Sequence, residues 1–114
     1  MRVYEAIVRG LESVGVDAAF GGAGENAAGR MIALKHSKKI RPIMTRHEQA
    51  ASFMACGYAM FTTKLGVCWA TAGPGAFNLI SGLAVALSDS YPMLAISGYA
   101  SLNWRGKGSL NETS

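Results

Sequence analysis

The residue best placed to do chemistry is a carboxylate at the start of an alanine-rich segment. Glu48 belongs to Arg46-His47-Glu48, which directly follows Ile40 to Thr45, an apolar stretch typical of a buried strand. A carboxyl group at such a junction can hold or move a proton on a bound ligand. Glu48 is therefore the first candidate for a catalytic residue, and its position suits cofactor chemistry.

A glycine-rich turn follows the next predicted strand. It contains Gly73, Pro74 and Gly75 and ends at Asn78. Proline is favoured at the first position of a helix, where its missing N–H costs nothing, so the turn could simply begin a helix. The two glycines also leave the backbone bare, so a flat ring could lie against it, with Asn78 tying down the turn.

A third turn, after the first predicted strand, is also rich in glycine. Gly22-Ala23-Gly24-Glu25-Asn26-Ala27 fits the G-x-G-x-x-A pattern of dinucleotide sites. However, the next strand ends in Met44-Thr45-Arg46 and offers no acidic residue for a ribose, and a whole helix precedes the pattern. We therefore favour a tight turn with open space above it over a nucleotide site.

Glu48 also has a purely structural explanation. Thr45 and Glu48 match the S/T-x-x-E capping box, in which the carboxylate would accept a hydrogen bond from the Thr45 backbone N–H. The helix behind carries a stripe of small residues, Ala51, Ser52 and Ala55, which permits very close packing within the chain or across a subunit boundary. Close packing would also bury a carboxylate at the head of the helix.

The hydrophobic periodicity alternates regularly along the chain. It predicts helices over residues 2–14, 25–35, 46–61 and 76–88, and short strands over residues 16–20, 40–44, 66–71 and 93–97. Because parallel strands need crossover connections, this alternation predicts an open parallel sheet with helices on both faces, a three-layer, flavodoxin-like α/β fold. Ligands bind beyond the carboxyl ends of such strands, so the three turns should share one edge. Glu48 and Pro74 would follow neighbouring strands if those strands are adjacent.

Length and composition limit the possible classes of protein. The chain has 114 residues, of which 50% are hydrophobic and 16% charged, and this predicts one small globular domain rather than a disordered segment. The net charge is +4, but no aromatic residues interleave the basic ones, so we expect no nucleic-acid partner. Cys56 and Cys68 lack CxxC spacing and are expected to be buried, and His36 and His47 do not have the spacing of a metal site.

The ends of the chain and its apolar stretches bear on location. The first residues form an amphipathic helix instead of a basic head with an apolar run, so no secretory signal is predicted. Polar residues and Pro92 interrupt the apolar stretch from Leu79 to Ile96, so no transmembrane segment is predicted. We expect a cytoplasmic protein.

In these motifs the chain resembles the N-terminal, pyrimidine-binding domain of thiamine diphosphate-dependent enzymes, especially the acetolactate synthase group. The resemblance covers most of the chain, in order. The matching segments are Gly15-Val16-Asp17-Ala18-Ala19-Phe20-Gly21, Arg46-His47-Glu48-Gln49-Ala50-Ala51, Gly57-Tyr58-Ala59, Ala70-Thr71-Ala72-Gly73-Pro74-Gly75-Ala76-Phe77-Asn78, residues 82–93, and Ile96-Ser97-Gly98.

The resemblance implies a concrete chemistry. Glu48 would hydrogen-bond N1′ of the cofactor's aminopyrimidine and favour the imino tautomer, which removes the thiazolium C2 proton. The resulting carbanion would attack a 2-oxo acid, carbon dioxide would leave, and in many members the acyl unit then joins a second carbonyl compound. Gly73, Pro74, Gly75 and Asn78 would line the pyrimidine pocket. Glu48 would have to be buried, against the pull of the helix N-terminus toward the ionised form.

Further implications concern the substrate and the metal. Gly22, Ala23, Gly24 and Asn111 would lie near the substrate, and Asn111 stands where acetolactate synthases often have a glutamine. The family's Gly-Asp-Gly motif for metal and diphosphate does not occur in this sequence, so Mg²⁺ is expected only through a diphosphate-binding domain, supplied by another subunit of a homo-oligomer.

Residues 1–114 are accordingly expected to be one truncated N-terminal domain of a longer lyase or carboligase, inactive alone. Two alternatives stay open. The chain could be the pyrimidine-domain subunit of a two-chain 2-oxo acid decarboxylase, or it could be a non-catalytic flavodoxin-like binding module.

Overall fold

The computed structural model describes residues 2–22 and 33–98, together with residues 103, 106 and 107. Residues 33–36 form a short helical piece, in keeping with the end of the helix predicted over residues 25–35. The other elements, in chain order, are α1 (Val3–Ser13), β1 (Ala18–Gly21), β2 (Arg41–Met44), α2 (Glu48–Thr62), β3 (Gly66–Ala70), α3 (Pro74–Phe77), α4 (Ile80–Asp89) and β4 (Met93–Ser97).

Within the described residues the predicted elements are present, with one difference in the helices, whereas residues 25–32 of the helix predicted over residues 25–35 lie outside the described residues. The segment predicted as a single helix over residues 76–88 begins earlier, at Pro74, and is divided into α3 and α4. Asn78 is the C-cap of α3, and Leu79 is fully buried beneath the junction. Asn78 therefore lies at the junction of the two helices instead of inside one continuous helix.

The four strands form one entirely parallel sheet in the order β2-β1-β3-β4. The predicted open parallel α/β fold is therefore confirmed. β1 lies between β2 and β3, so the strands that precede Glu48 and Pro74 are not adjacent. Glu48 and Pro74 therefore do not follow neighbouring strands, because that expectation depended on the two strands being adjacent. The chain pairs β2 on one side of β1 and then crosses to place β3 on the other side. The switch point lies between β1 and β3, where α/β sheets commonly bind ligands.

Helices cover both faces of this sheet. On one face, α1 packs Val8 and Leu11 against Val67 and Trp69 of β3. On the other face, α2 and the residues before α4 form a second core cluster around Cys68 of β3. All five residues of β3 are buried, as expected for the central part of a parallel sheet.

The small-residue stripe of α2 is used inside the chain. Ala51, Ser52 and Ala55 are each 0% exposed, and the two alanines belong to the core cluster against the sheet. The Ser52 hydroxyl oxygen accepts a hydrogen bond from the Gly82 backbone N–H at 3.2 Å. A Cβ at residue 82 would overlap with Ser52, so α2 and α4 approach closely only because this position is glycine. The alternative that the stripe meets another subunit is therefore wrong.

A polar cluster joins α2 to the amino end of the sheet. The Tyr58 hydroxyl donates to Asp17 Oδ1, and Lys64 Nζ lies 3.0 Å from Asp17 Oδ2. The bond from Tyr58 and the neighbouring Lys64 ammonium lower the pKa of Asp17. This cluster ties the carboxyl-terminal half of α2 to the residue that precedes β1.

Both cysteines are buried and unpaired, as predicted. Burial raises the pKa of the Cys68 thiol to about 11. Of the helices within residues 2–22 and 33–98, none is long and apolar enough to cross a membrane.

Candidate functional site

The carboxyl ends of β1, β2 and β3 bring the sequence-predicted turns to one edge of the sheet. Gly21, the last residue of β1, pairs with Met44 of β2 on one side and with Trp69 of β3 on the other. Gly22 follows at this edge, but Ala23, Gly24 and Asn111 lie outside the described residues. The predicted substrate-proximal group is thus placed only at Gly22.

Glu48 is the first residue of α2, and His47 caps the helix. His47 has an extended backbone, and its Nδ1 accepts a hydrogen bond from the Gln49 backbone N–H at 3.1 Å. The Thr45 backbone N–H donates instead to the Gly21 carbonyl at 2.8 Å, which continues the pairing of β1 with β2. The capping box between Thr45 and Glu48 is therefore not formed, and the Glu48 carboxylate is not used to cap its own helix.

The Glu48 carboxylate faces the glycine turn instead. Its Oε2 accepts a hydrogen bond from Asn78 Nδ2 at 3.2 Å. A Cβ built on Gly75 would lie 3.2 Å from Glu48 Oε1 and 2.9 Å from Thr71 Cγ2. The backbone at residue 75 is thus in close contact with the carboxylate, and any larger residue would displace it.

The turn itself has the predicted form. Gly73 is the N-cap of α3 with φ +66°, a conformation that glycine adopts without strain, and Pro74 is the first helical residue. Gly73 and Gly75 are buried, whereas Pro74 is exposed. The turn therefore starts a helix, which was the structural explanation offered by the sequence. It also places backbone without side chains next to Glu48.

Thr71 is a polar residue of this edge that the sequence analysis missed. Its Oγ1 is buried and has no hydrogen-bond partner in the described part of the chain. A buried hydroxyl without a partner costs about 1–3 kcal/mol, so such a group calls for an explanation, and a bound ligand is one. The signal available in the sequence was a hydroxyl residue placed directly between β3 and the glycine turn.

The site is open on one side. Glu48 is only half-buried, and two large apolar residues close in sequence to its partner Asn78, Phe77 and Ile80, are 55% and 56% exposed. The burial that the resemblance requires of Glu48 is therefore incomplete within the described residues. Those residues also contain no cluster of three or more His, Cys, Asp or Glu side chains that could hold a metal ion.

Comparison with known families agrees with this arrangement. The model of the family described as "Thiamine pyrophosphate enzyme, N-terminal TPP binding domain" matches residues 1–114. The chain belongs to this family. It is therefore an N-terminal domain of the thiamine pyrophosphate (thiamine diphosphate) enzymes.

Individual relatives are similar over most of the chain. The acetolactate synthase of Mycobacterium bovis is 48% identical over 94 residues, which cover 82% of this chain and 15% of that protein. Acetolactate synthase 2, chloroplastic, of Brassica napus is 44% identical over 109 residues, covering 96% of this chain and 17% of the relative. A probable acetolactate synthase large subunit of Methanococcus aeolicus is 47% identical over 98 residues, covering 86% and 16%. The chain thus spans about one sixth of the length of these relatives.

The described residues fit the cofactor of this family. A flat aminopyrimidine needs a bare wall and hydrogen-bonding groups at its edge. The glycine turn offers the first, and the Glu48 carboxylate and the unpartnered Thr71 hydroxyl offer the second. These residues are therefore compatible with the steric and polar requirements of such a ring.

Proposed function

We propose that this chain is the pyrimidine-binding part of a thiamine diphosphate-dependent lyase or carboligase that acts on 2-oxo acids, as acetolactate synthases do. The observation that carries the proposal is the contact of the Glu48 carboxylate with Asn78 and with the backbone of Gly75, at the carboxyl edge of a parallel sheet. The carboxylate is left unused by its own helix cap, so it is available to a ligand.

Each residue of the edge has a defined task in this proposal. Glu48 exchanges a hydrogen bond and a proton with N1′ of the pyrimidine ring, and Asn78 holds the carboxylate in the required orientation. Gly73 and Gly75 admit the ring against bare backbone, and Thr71 Oγ1 gains its missing partner when the ring is bound. When bound, thiamine diphosphate supplies a carbon nucleophile and an electron sink for the carbonyl group of a 2-oxo acid.

Exposed apolar residues on the open side of the site suit coverage by another protein domain. Phe53 and Met54 on α2 are 44% and 42% exposed, and Phe77 and Ile80 are more exposed still. Large apolar residues left in water near a half-buried carboxylate are typical of a surface that is covered in an assembly. We infer that a diphosphate-binding domain of another subunit covers this side of a homo-oligomer, completes the burial of Glu48 and supplies the Mg²⁺ site.

The proposal is tested by proton exchange at C2 of thiamine diphosphate bound to the full-length protein. Glu48→Gln keeps the shape of the side chain but removes the group that exchanges a proton. A positioned acid or base contributes about 10²–10⁴-fold, so we expect the exchange rate to fall by at least about 100-fold. Glu12→Gln makes the same chemical change on α1 and should leave the rate unchanged.

An exchange rate in Glu48→Gln equal to that of the wild type would refute the role given to Glu48. A full-length protein that binds no thiamine diphosphate would favour the non-catalytic binding module. If the cofactor binds only after addition of a separate chain that carries a Gly-Asp-Gly motif, the two-chain decarboxylase is the correct form of the proposal.

A further inference from the structure

Trp69 holds the backbone at Gly22, the residue that directly follows β1. It is 1% exposed and lies in the core cluster beneath α1, although it sits at the carboxyl end of β3 near the site. Its indole Nε1–H donates a hydrogen bond to the Gly22 carbonyl at 2.9 Å. A buried indole N–H usually finds a partner, and here the partner is the first residue of the turn.

The indole ring also contacts Gly21, the last residue of β1. A Cβ built on Gly21 would overlap with three atoms of the ring, so the ring packs directly against the bare α-carbon of this residue. Strand pairing between β1 and β3 ends with Gly21 and Trp69. One residue later, the chain is therefore held by a side chain instead of by a neighbouring strand.

The two carbonyl groups at the end of β1 are held by different partners. The Gly21 carbonyl accepts from the Thr45 backbone N–H, and the Gly22 carbonyl accepts from Trp69. By contrast, among the described residues a Cβ on Gly22 would meet only the Thr45 carbonyl oxygen, at an ordinary 3.5 Å. The hydrogen bond from Trp69 is therefore the contact that fixes the Gly22 carbonyl group.

We propose that Trp69 is a positioning residue for substrate binding: its indole N–H holds the carbonyl group of Gly22 in place beside the 2-oxo acid. This inference rests on the proposed function, together with the expectation from the family resemblance that Gly22 lies near the substrate. Trp69 acts through the backbone of Gly22 and does not itself contact the reacting atoms.

The test is steady-state kinetics of the full-length protein and its Trp69→Phe variant with pyruvate as the 2-oxo acid. Phenylalanine fills much of the ring's space but has no N–H to donate. The loss of one neutral hydrogen bond corresponds to about a fivefold effect. We expect KM for pyruvate to rise about fivefold, while kcat and the thiamine diphosphate dissociation constant stay within about twofold of the wild type.

Ile96→Val is the matched control. Ile96 pairs with Trp69 in the sheet and packs against the same core cluster, but no hydrogen bond joins it to Gly22. This variant should lower the melting temperature slightly and leave KM unchanged. In Trp69→Phe, an unchanged KM would overturn the inference, and so would a rise in KM that is accompanied by equal losses of kcat, cofactor affinity and stability, since that pattern indicates general loss of structure.

The same experiment separates this inference from the proposed function. A wild-type protein that binds thiamine diphosphate and turns over pyruvate, with an unaltered KM in Trp69→Phe, contradicts only the role of Trp69. A wild-type protein that neither binds the cofactor nor turns over any 2-oxo acid contradicts the proposed function and the role of Trp69 together.

Discussion

A methyl group added at residue 75 would test whether the glycine turn and Glu48 form one packed unit. In Gly75→Ala, the new Cβ would lie 2.9 Å from Thr71 Cγ2 and 3.2 Å from Glu48 Oε1. Both distances are shorter than ordinary van der Waals contact. The Thr71 methyl and the Glu48 carboxylate are ends of side chains, so the overlap would be relieved by moving them away from the turn.

The size of the effect follows from these contacts. Overpacking costs about 1–3 kcal/mol, and alanine recovers about 1 kcal/mol over glycine in a helix, so the free energy of unfolding should fall by about 0–2 kcal/mol. Displacing the Glu48 carboxylate should affect the affinity for the cofactor more than the free energy of unfolding. A hydrogen bond to a charged group contributes about 1.5–3 kcal/mol, so losing it at the cofactor should weaken thiamine diphosphate binding by about 10- to 150-fold.

Calorimetric titration of the full-length protein with thiamine diphosphate, together with urea unfolding, measures both effects. Thr71→Ser removes the nearer methyl, so Gly75→Ala combined with Thr71→Ser should regain stability but only part of the affinity. Gly57→Ala is the control, because a Cβ at residue 57 of α2 meets no atom within 4 Å. Affinity within twofold of the wild type and unchanged stability in Gly75→Ala would refute the described packing of the turn against Glu48.

Two further substitutions test the hydroxyl of the site and the cluster at the opposite edge. Thr71→Val removes a buried hydroxyl that has no partner, so the protein without cofactor should be as stable as the wild type or up to about 1 kcal/mol more stable, yet bind thiamine diphosphate several-fold more weakly. A drop in urea stability would show that Thr71 Oγ1 already has a partner. Because the pKa of Asp17 is lowered in the folded state, its stabilisation is present above the ordinary carboxyl pKa of about 3.9 and is lost as the pH falls through the lower folded value. Asp17→Asn should therefore reduce urea stability more at about pH 7 than at about pH 2, and an equal difference at both pH values would contradict this account.

Local sequence patterns were sufficient for the class of fold and for the edge that carries the site. The alternation of helical and strand periods required a parallel sheet, and in a parallel sheet every strand-to-helix turn meets the same edge. The sequence thus predicts that Glu48, Gly75 and Asn78 lie at one edge of the sheet, and the structure brings them into contact there. Their roles toward the cofactor remain predictions.

Contacts between residues distant in the sequence could not be obtained in this way. The motif Thr45 to Glu48 matched a capping box, but the Thr45 N–H is taken by Gly21 of the neighbouring strand, and His47 caps the helix instead. The small-residue stripe was compatible with a subunit boundary, but Ser52 meets Gly82 within the chain. In both cases a local pattern offered two partners, and packing selected one.

The sequence by itself therefore determined the alternating elements, the shared carboxyl edge and the carboxylate at its centre, because periodicity and turn chemistry act over a few residues. Only the tertiary structure decided that β1 separates β2 from β3, that Glu48 meets Asn78, that Thr71 Oγ1 lacks a partner among the described residues and that Trp69 holds Gly22. These features depend on strand order and on side chains that meet across the fold, and no short stretch of sequence encodes them.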